Sequence, residues 1–184
     1  MRTINLIGLF LIAVILSSCS QSKEKMIKEI AEKEKSLYNN TTGLPDKAKS
    51  DEIVAMYMKF AEQYPQDSLT PSYIYAAANL QMNMSQNEEA IAKLDKIINN
   101  YPDYPRLADV FFLKAFIYDN NIKNLNKARQ AYTDFLNKFP DSDLADDAKM
   151  SLDNLGKTPE QIVKEFEQKM KEKADSATAA TDKK

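Results

Sequence analysis

Three aromatic-proline pairs constrain this chain more than any other feature: Tyr64-Pro65, Tyr101-Pro102 and Phe139-Pro140. The prolines stand 37 and 38 residues apart, and each is followed within two residues by Asp, as in Gln66-Asp67-Ser68, Asp103-Tyr104-Pro105 and Asp141-Ser142-Asp143. A residue that precedes Pro is pushed out of the α region, so each pair marks the end of a helix. The stretch before each pair has a helical apolar period. Ile53, Tyr57, Phe60, Ala61 and Tyr64 fall at i, i+4, i+7, i+8 and i+11. Ala90, Leu94, Ile97, Ile98 and Tyr101 repeat that order, and Ala128, Tyr132, Phe135, Leu136 and Phe139 repeat it again. Each set makes one stripe that a helix must bury. The Asp and Ser residues beyond each Pro are expected to cap the helix that follows.

A second helix precedes each stripe. Leu107 to Tyr118 is apolar on most sides, with Val110, Phe111, Phe112, Leu113, Ala115, Phe116 and Ile117 interrupted by Lys114. Pro71 to Met84 is its counterpart, carrying Tyr73, Ile74, Ala77, Ala78 and Leu80. A helix apolar on most sides must be covered on most sides, as the inner helix of a stacked hairpin is. Short polar turns, Ser85-Gln86-Asn87 and Asn120 to Asn124, separate each pair. Leu107-Ala108-Asp109 recurs as Leu144-Ala145-Asp146 where the next helix should open. Only three Gly occur in 184 residues, which argues against a sheet-rich fold.

A period near this length, a small residue early in the second helix and a Pro at the end of the unit resemble the tetratricopeptide repeat. Phe111, Ala115 and Tyr118 match the large, small and aromatic positions of its first helix, and Ala128, Tyr132 and Pro140 those of its second. The resemblance covers residues 44–156, about three units. It implies an all-α fold, a solenoid of stacked antiparallel helical hairpins. Units ending in Phe139-Pro140-Asp141-Ser142 look like those of the BamD-like lipoproteins of β-barrel assembly and of the related Tol-associated periplasmic proteins. That similarity implies a scaffold for protein partners in the cell envelope. Lys114 stands where Leu is usual, and the opening helix of the first unit is poorly marked.

Residues 1–18 read as an export signal. Arg2 supplies its positive end, and Leu6 to Leu16 form an apolar run broken only by Gly8. That run is shorter than the ~20 residues of a membrane span. It ends in Leu16-Ser17-Ser18-Cys19, which resembles a lipobox and implies cleavage between Ser18 and Cys19 with acylation of the thiol. Cys19 is the only Cys in the chain. With Ser20 after it, and Glu24 as the one acid close by, the lipobox resemblance implies a periplasm-facing anchor in the outer membrane, with surface exposure left open. Residues 19–43 are expected to hold a helix with a narrow seam (Ile27, Ile30, Ala31, Leu37) and a linker from Asn39.

At the other end, Thr158-Pro159-Glu160-Gln161 has the form of a capping box: Thr as cap, Pro first, Gln reaching back. Ile162, Val163, Phe166 and Met170 then form one stripe on a Lys/Glu helix. Residues 157–173 are therefore expected to cap the solenoid. Residues 174–184 are small and polar and are expected to be disordered.

Composition removes most chemistry. The chain has no His, so His-based acid-base catalysis and ordinary zinc sites are excluded. No Gly-rich phosphate loop occurs, no cofactor or metal is implied, and an enzyme is not expected. A net charge of -2 with interspersed signs gives no field for nucleic acid. Glu88-Glu89 and Asp146-Asp147 stand where helices should open, so they suit helix N-termini better than an acid-base pair. Met82 and Met84 fit core filling better than a binding surface. What remains is a groove lined by the inner helices. Counting around Leu107 to Tyr118 leaves Asp109, Phe112, Phe116 and Asp119 to face it, with burial of Phe112 and Phe116 against a neighbouring hairpin as the alternative. A short groove suits a peptide or a single partner helix. A monomer with an open groove and a structural subunit of a permanent or self-associated envelope complex both fit these residues. Labelling with a fatty-acid analogue is expected to mark the natural chain and not Cys19→Ser. Equal labelling of the two would contradict a lipid anchor at that residue.

Overall fold

The computed structural model of the chain describes residues 22–37 and 46–181, with side chains to 173. Ser18, Cys19 and the linker expected at 39–43 lie outside the described residues. All described elements are helical, and the chain divides into two compact units between Tyr104 and Pro105.

The first unit holds α1 (22–37), α2 (Lys47–Gln63), α3 (Thr70–Asn83) and α4 (Asn87–Asn100). The narrow seam of α1 is not an isolated helix before the repeats. Ile30 and Leu37 are buried with Ile53, Val54, Tyr57 and Phe60 of α2 and with Ala77 and Leu80 of α3. Tyr57 donates its phenol to Glu34 of α1 at 2.6 Å, so the one acid in that seam is paired. Lys23 of α1 donates to Asp67 beyond α2 at 2.9 Å, and that hydrogen bond holds the Asp67 carboxyl below its usual range. Helix α1 thus packs with α2 and α3 in one core. The sequence hid this because most of α1 is Lys and Glu and its seam is narrow.

Within this unit α3 packs on both α2 and α4. The α3–α4 hairpin closes at Ser85, whose φ of 61° lies in the left-handed region. Met84 fills space against the first core, as its sequence context suggested.

The second unit holds α5 (Leu107–Phe116), α6 (Leu125–Lys138), α7 (Ala145–Asn154) and α8 (Pro159–Thr181). A π-helical turn, Ile117–Asn121, continues α5. Its mark is the Ile122 N–H bonding back five residues to the Ile117 carbonyl at 2.9 Å. Lys123 then takes a φ of 60° and mirrors Ser85 at the same point of the repeat. Ala115, Tyr132, Phe135 and Ala148 form the core shared by α5, α6 and α7.

The aromatic-proline turns have one geometry. Tyr64, Tyr101 and Phe139 end α2, α4 and α6 with φ/ψ of -129/58°, -133/62° and -132/58°. Each closes the last helical bond with its own N–H, and each carbonyl then accepts from the residue three positions on, Asp67, Tyr104 or Ser142. The caps expected from the polar residues of these turns take another form. Asp67 accepts from the Leu69 N–H and Ser142 from the Leu144 N–H, which shapes the turn, while α3, α5 and α7 begin without a side-chain cap. Glu88-Glu89 and Asp146-Asp147 do occupy first helical turns.

At the C-terminal end α7 stops at Gly156, whose φ is 80° and where a Cβ would lie 3.1 Å from Leu125 Cδ1. Thr158 and Gln161 bond reciprocally and open α8 as a capping box. Two expectations change here. Helix α8 runs through Thr181, although disorder was expected from 174. The segment is rich in Ala, which favours a helix without needing apolar burial. The expected cap does not cover anything: Val163, Phe166 and Met170 are all exposed, and Ile162 alone in α8 is half-buried among the described side chains. An amphipathic pattern states that a face should be buried, not which surface will bury it.

Ile53, Ala90 and Ala128, the equivalent positions early in each second helix, are buried at 1%, 0% and 0% exposure. Ala128→Asp would leave an unpaired charge in that place, a cost of about 3 kcal/mol or more. The melting midpoint by circular dichroism is expected to fall by on the order of 10 °C. An unchanged midpoint would contradict the hairpin register.

Candidate functional site

Helix α5 carries the four residues expected to face a partner, and the structure divides them. Phe116 is at the surface, 38% exposed. Asp109, seven residues earlier and so on nearly the same face, is half-exposed and accepts from Arg106 Nε at 2.6 Å. Phe112 turns toward its own hairpin. Its ring meets Tyr132 and Phe135 of α6 edge-on at centroid distances of 6.0 and 5.7 Å. It is half-buried and contributes more to the core than to an open face.

Asp119 falls within the π-helical turn. A π turn is wider than an α turn, so Asp119 stops short of the angular position that a simple α count gives it. It lies within electrostatic reach of Tyr132. Burial pushes the Tyr132 phenol above its ordinary value, and the negative charge of Asp119 adds to that. The Tyr132 side chain is fully buried, and its hydroxyl has no hydrogen-bond partner within bonding geometry. Asp119 and Ser151 both approach it without completing a bond.

Two lysines of α6 lie against other rings of this segment. Lys127 Nζ sits 5.2 Å from the Tyr118 ring centroid and Lys138 Nζ 5.1 Å from that of Phe111. These contacts cover ring faces that would otherwise meet water, and each is worth ~0.5–1 kcal/mol at an exposed site. The exposed ring on α5 is therefore Phe116, with Asp109 two turns before it on nearly the same face. Sequence counting put Phe116 and Asp109 on one face of α5, and in the structure Phe116 is exposed and Asp109 half-exposed. It missed the π turn, for which the low helix propensity of Asp119-Asn120-Asn121 was the available signal. It also missed the exposed face of α7 and α8, where Met150 is 59% exposed. Among the described residues no cluster of acids could hold a metal ion, and no helix is long and apolar enough to cross a membrane.

Antiparallel hairpins of this length, closed by a repeated aromatic-proline turn and packed through small residues, give an all-α fold of tetratricopeptide-like helical hairpins. The tetratricopeptide repeat family model matches residues 73–104 and 109–142, the second and third hairpins. Among curated proteins the chain is similar to the outer membrane protein assembly factor BamD of Rickettsia prowazekii, at 27% identity over 79% of this chain and 60% of that protein. It is similar to BamD of Caulobacter vibrioides at 24% identity, over 80% of this chain and 51% of the relative. BamD of Xylella fastidiosa strain 9a5c matches at 23% over 77% of this chain and 54% of that relative. The chain thus spans about half to three fifths of the length of these relatives.

The orphaned hydroxyl gives a direct test of the geometry around Asp119. Removing a buried hydroxyl that makes no bond costs little, whereas losing a made one costs ~0.5–1.5 kcal/mol. Tyr132→Phe is expected to unfold in urea at the same midpoint as the natural chain, or a higher one. A clearly lower midpoint would mean that Asp119 or Ser151 bonds Tyr132 in solution.

Proposed function

We propose that this chain is a lipid-anchored scaffold on the periplasmic side of the outer membrane, where its repeats hold a protein partner during outer-membrane protein assembly. The observation that carries the proposal is Phe116, an aromatic ring left open on the first helix of a tetratricopeptide hairpin, on the face that also carries the Asp109 carboxylate. The other described rings of α1 to α7 are buried or half-buried, whereas Phe116 is exposed. The role in assembly rests on the likeness to proteins named outer membrane protein assembly factor BamD. The anchor rests on Leu16-Ser17-Ser18-Cys19.

Recognition on such a face needs no catalytic group. A partner helix or extended segment places an apolar side chain against Phe116 and a donor against Asp109. A desolvated aromatic anchor of this kind contributes ~2 kcal/mol or more to binding. Asp119 and Phe112 support the face from behind. The first sits near the buried Tyr132 hydroxyl and the second wedges α5 against α6. Two or three acyl chains on Cys19 would hold the chain stably at the membrane, since one chain binds only marginally.

The test begins with affinity capture of the anchored protein after crosslinking, followed by calorimetry with the captured partner. Phe116→Ala is expected to weaken binding by ~30-fold, and Phe112→Ala to weaken it while also lowering stability. Truncation after Glu172 is expected to leave the affinity near that of the natural chain. If truncation abolishes binding and Phe116→Ala leaves it intact, the α5 face is not where the partner sits.

A further inference from the structure

The stripe on α8 has the spacing of a helix-helix seam and lies open among the described residues. Val163, Phe166 and Met170 stand at i, i+3 and i+7, the narrow a/d pattern by which two helices interlock. They are 55%, 64% and 53% exposed. Met150 of α7 belongs to the same surface, because Met150, Ile162 and Phe166 line one open cleft between α7 and α8, and Phe166 and Met170 line the next stretch of α8. In α2, α4 and α6 the corresponding stripes are buried against neighbouring helices, so α8 lacks a partner that the pattern requires.

We propose that a second copy of this chain supplies that partner, with α8 packed against α8 across a two-fold axis. Area is the first argument. Large apolar side chains carry ~200 Å² each, and roughly half of that is open here, which gives a patch of about 400 Å². Doubled across the axis, with a polar rim of similar extent, it reaches the ~1,600 Å² of a standard stable interface. Charge is the second. Between Glu160 and Lys173 the helix carries Glu160, Glu165, Glu167 and Glu172 against Lys164, Lys169, Lys171 and Lys173. Equal numbers of the two signs let identical helices approach without net repulsion and give no attraction toward an anionic lipid surface. Symmetry is the third. A two-fold contact uses the same patch twice, and a single continuous stripe centred on Phe166 is self-complementary in that sense. The α7–α8 turn sets the face: the Thr158–Gln161 capping box and the Lys157–Glu165 pair at 2.6 Å fix the first turns of α8.

This inference is independent of the partner proposed for α5, since it uses neither Phe116 nor Asp109. Its test is sedimentation equilibrium of the full chain in density-matched detergent. The natural chain is expected to dimerise at micromolar concentration. Phe166→Glu and Met170→Glu, both at exposed positions, are expected to raise the dimer dissociation constant by ~30-fold or more while helix content by circular dichroism stays the same. Gln168→Ala, on the far side of α8, should dimerise as the natural chain does. A natural chain that stays monomeric throughout overturns the proposal, and then another protein or a lipid surface must cover the stripe. A dimer that survives both Glu substitutions overturns it equally.

Discussion

Everything regular in this protein follows from what happens to the backbone at an aromatic residue placed before proline. Steric conflict with the Pro ring removes the α conformation from Tyr64, Tyr101 and Phe139, and all three settle within a few degrees of one another. The helix must stop there, yet the aromatic N–H still completes its last bond and the aromatic carbonyl nucleates the reverse turn. Length, stop and direction of each second helix are set in three residues. The rings then serve the packing: Tyr64 lies 5.0 Å from Phe60, Phe139 lies 5.4 Å from Phe111, and Tyr101 donates its phenol to the Pro65 carbonyl of the preceding turn. Each turn is thus both a chain reversal and a contact between elements.

What was legible in the sequence was whatever depends on local chemistry. The turns, the stripes on α2, α4 and α6, the acidic first turns of α4 and α7 and the reciprocal Thr158–Gln161 cap all follow from residues within a few positions of each other. What was not legible depends on which surface an element meets. Helix α1 reads as a helix with only a narrow seam, but Ile30 and Leu37 join a core supplied by α2 and α3, and Glu34 is tolerated because Tyr57 bonds it. Helix α8 reads as a cap and leaves its stripe open. Angular counting along α5 does not carry through to Asp119, because one π turn changes the registration of everything after it.

The division within α5 has a functional consequence. A face that binds a partner must keep apolar surface in water without letting it collapse into the hairpin. Phe112 has collapsed in this way, edge-on to Tyr132 and Phe135, and that contact holds the backbone on which Phe116 is displayed. Rigid support beneath an exposed ring lowers the ordering cost of binding, which is where scaffolds gain affinity without large interfaces. The charged neighbours act on orientation more than on strength, since an exposed ion pair such as Arg106–Asp109 contributes ~0–1 kcal/mol.

Whether α5 presents that surface in the cell is answered most directly by a photo-crosslinking amino acid placed at position 116 or at position 129, an exposed site on α6. The expected result is a discrete adduct with another envelope protein from position 116 and none from position 129. An adduct from position 129 with none from position 116 would contradict the scaffold surface proposed for this chain.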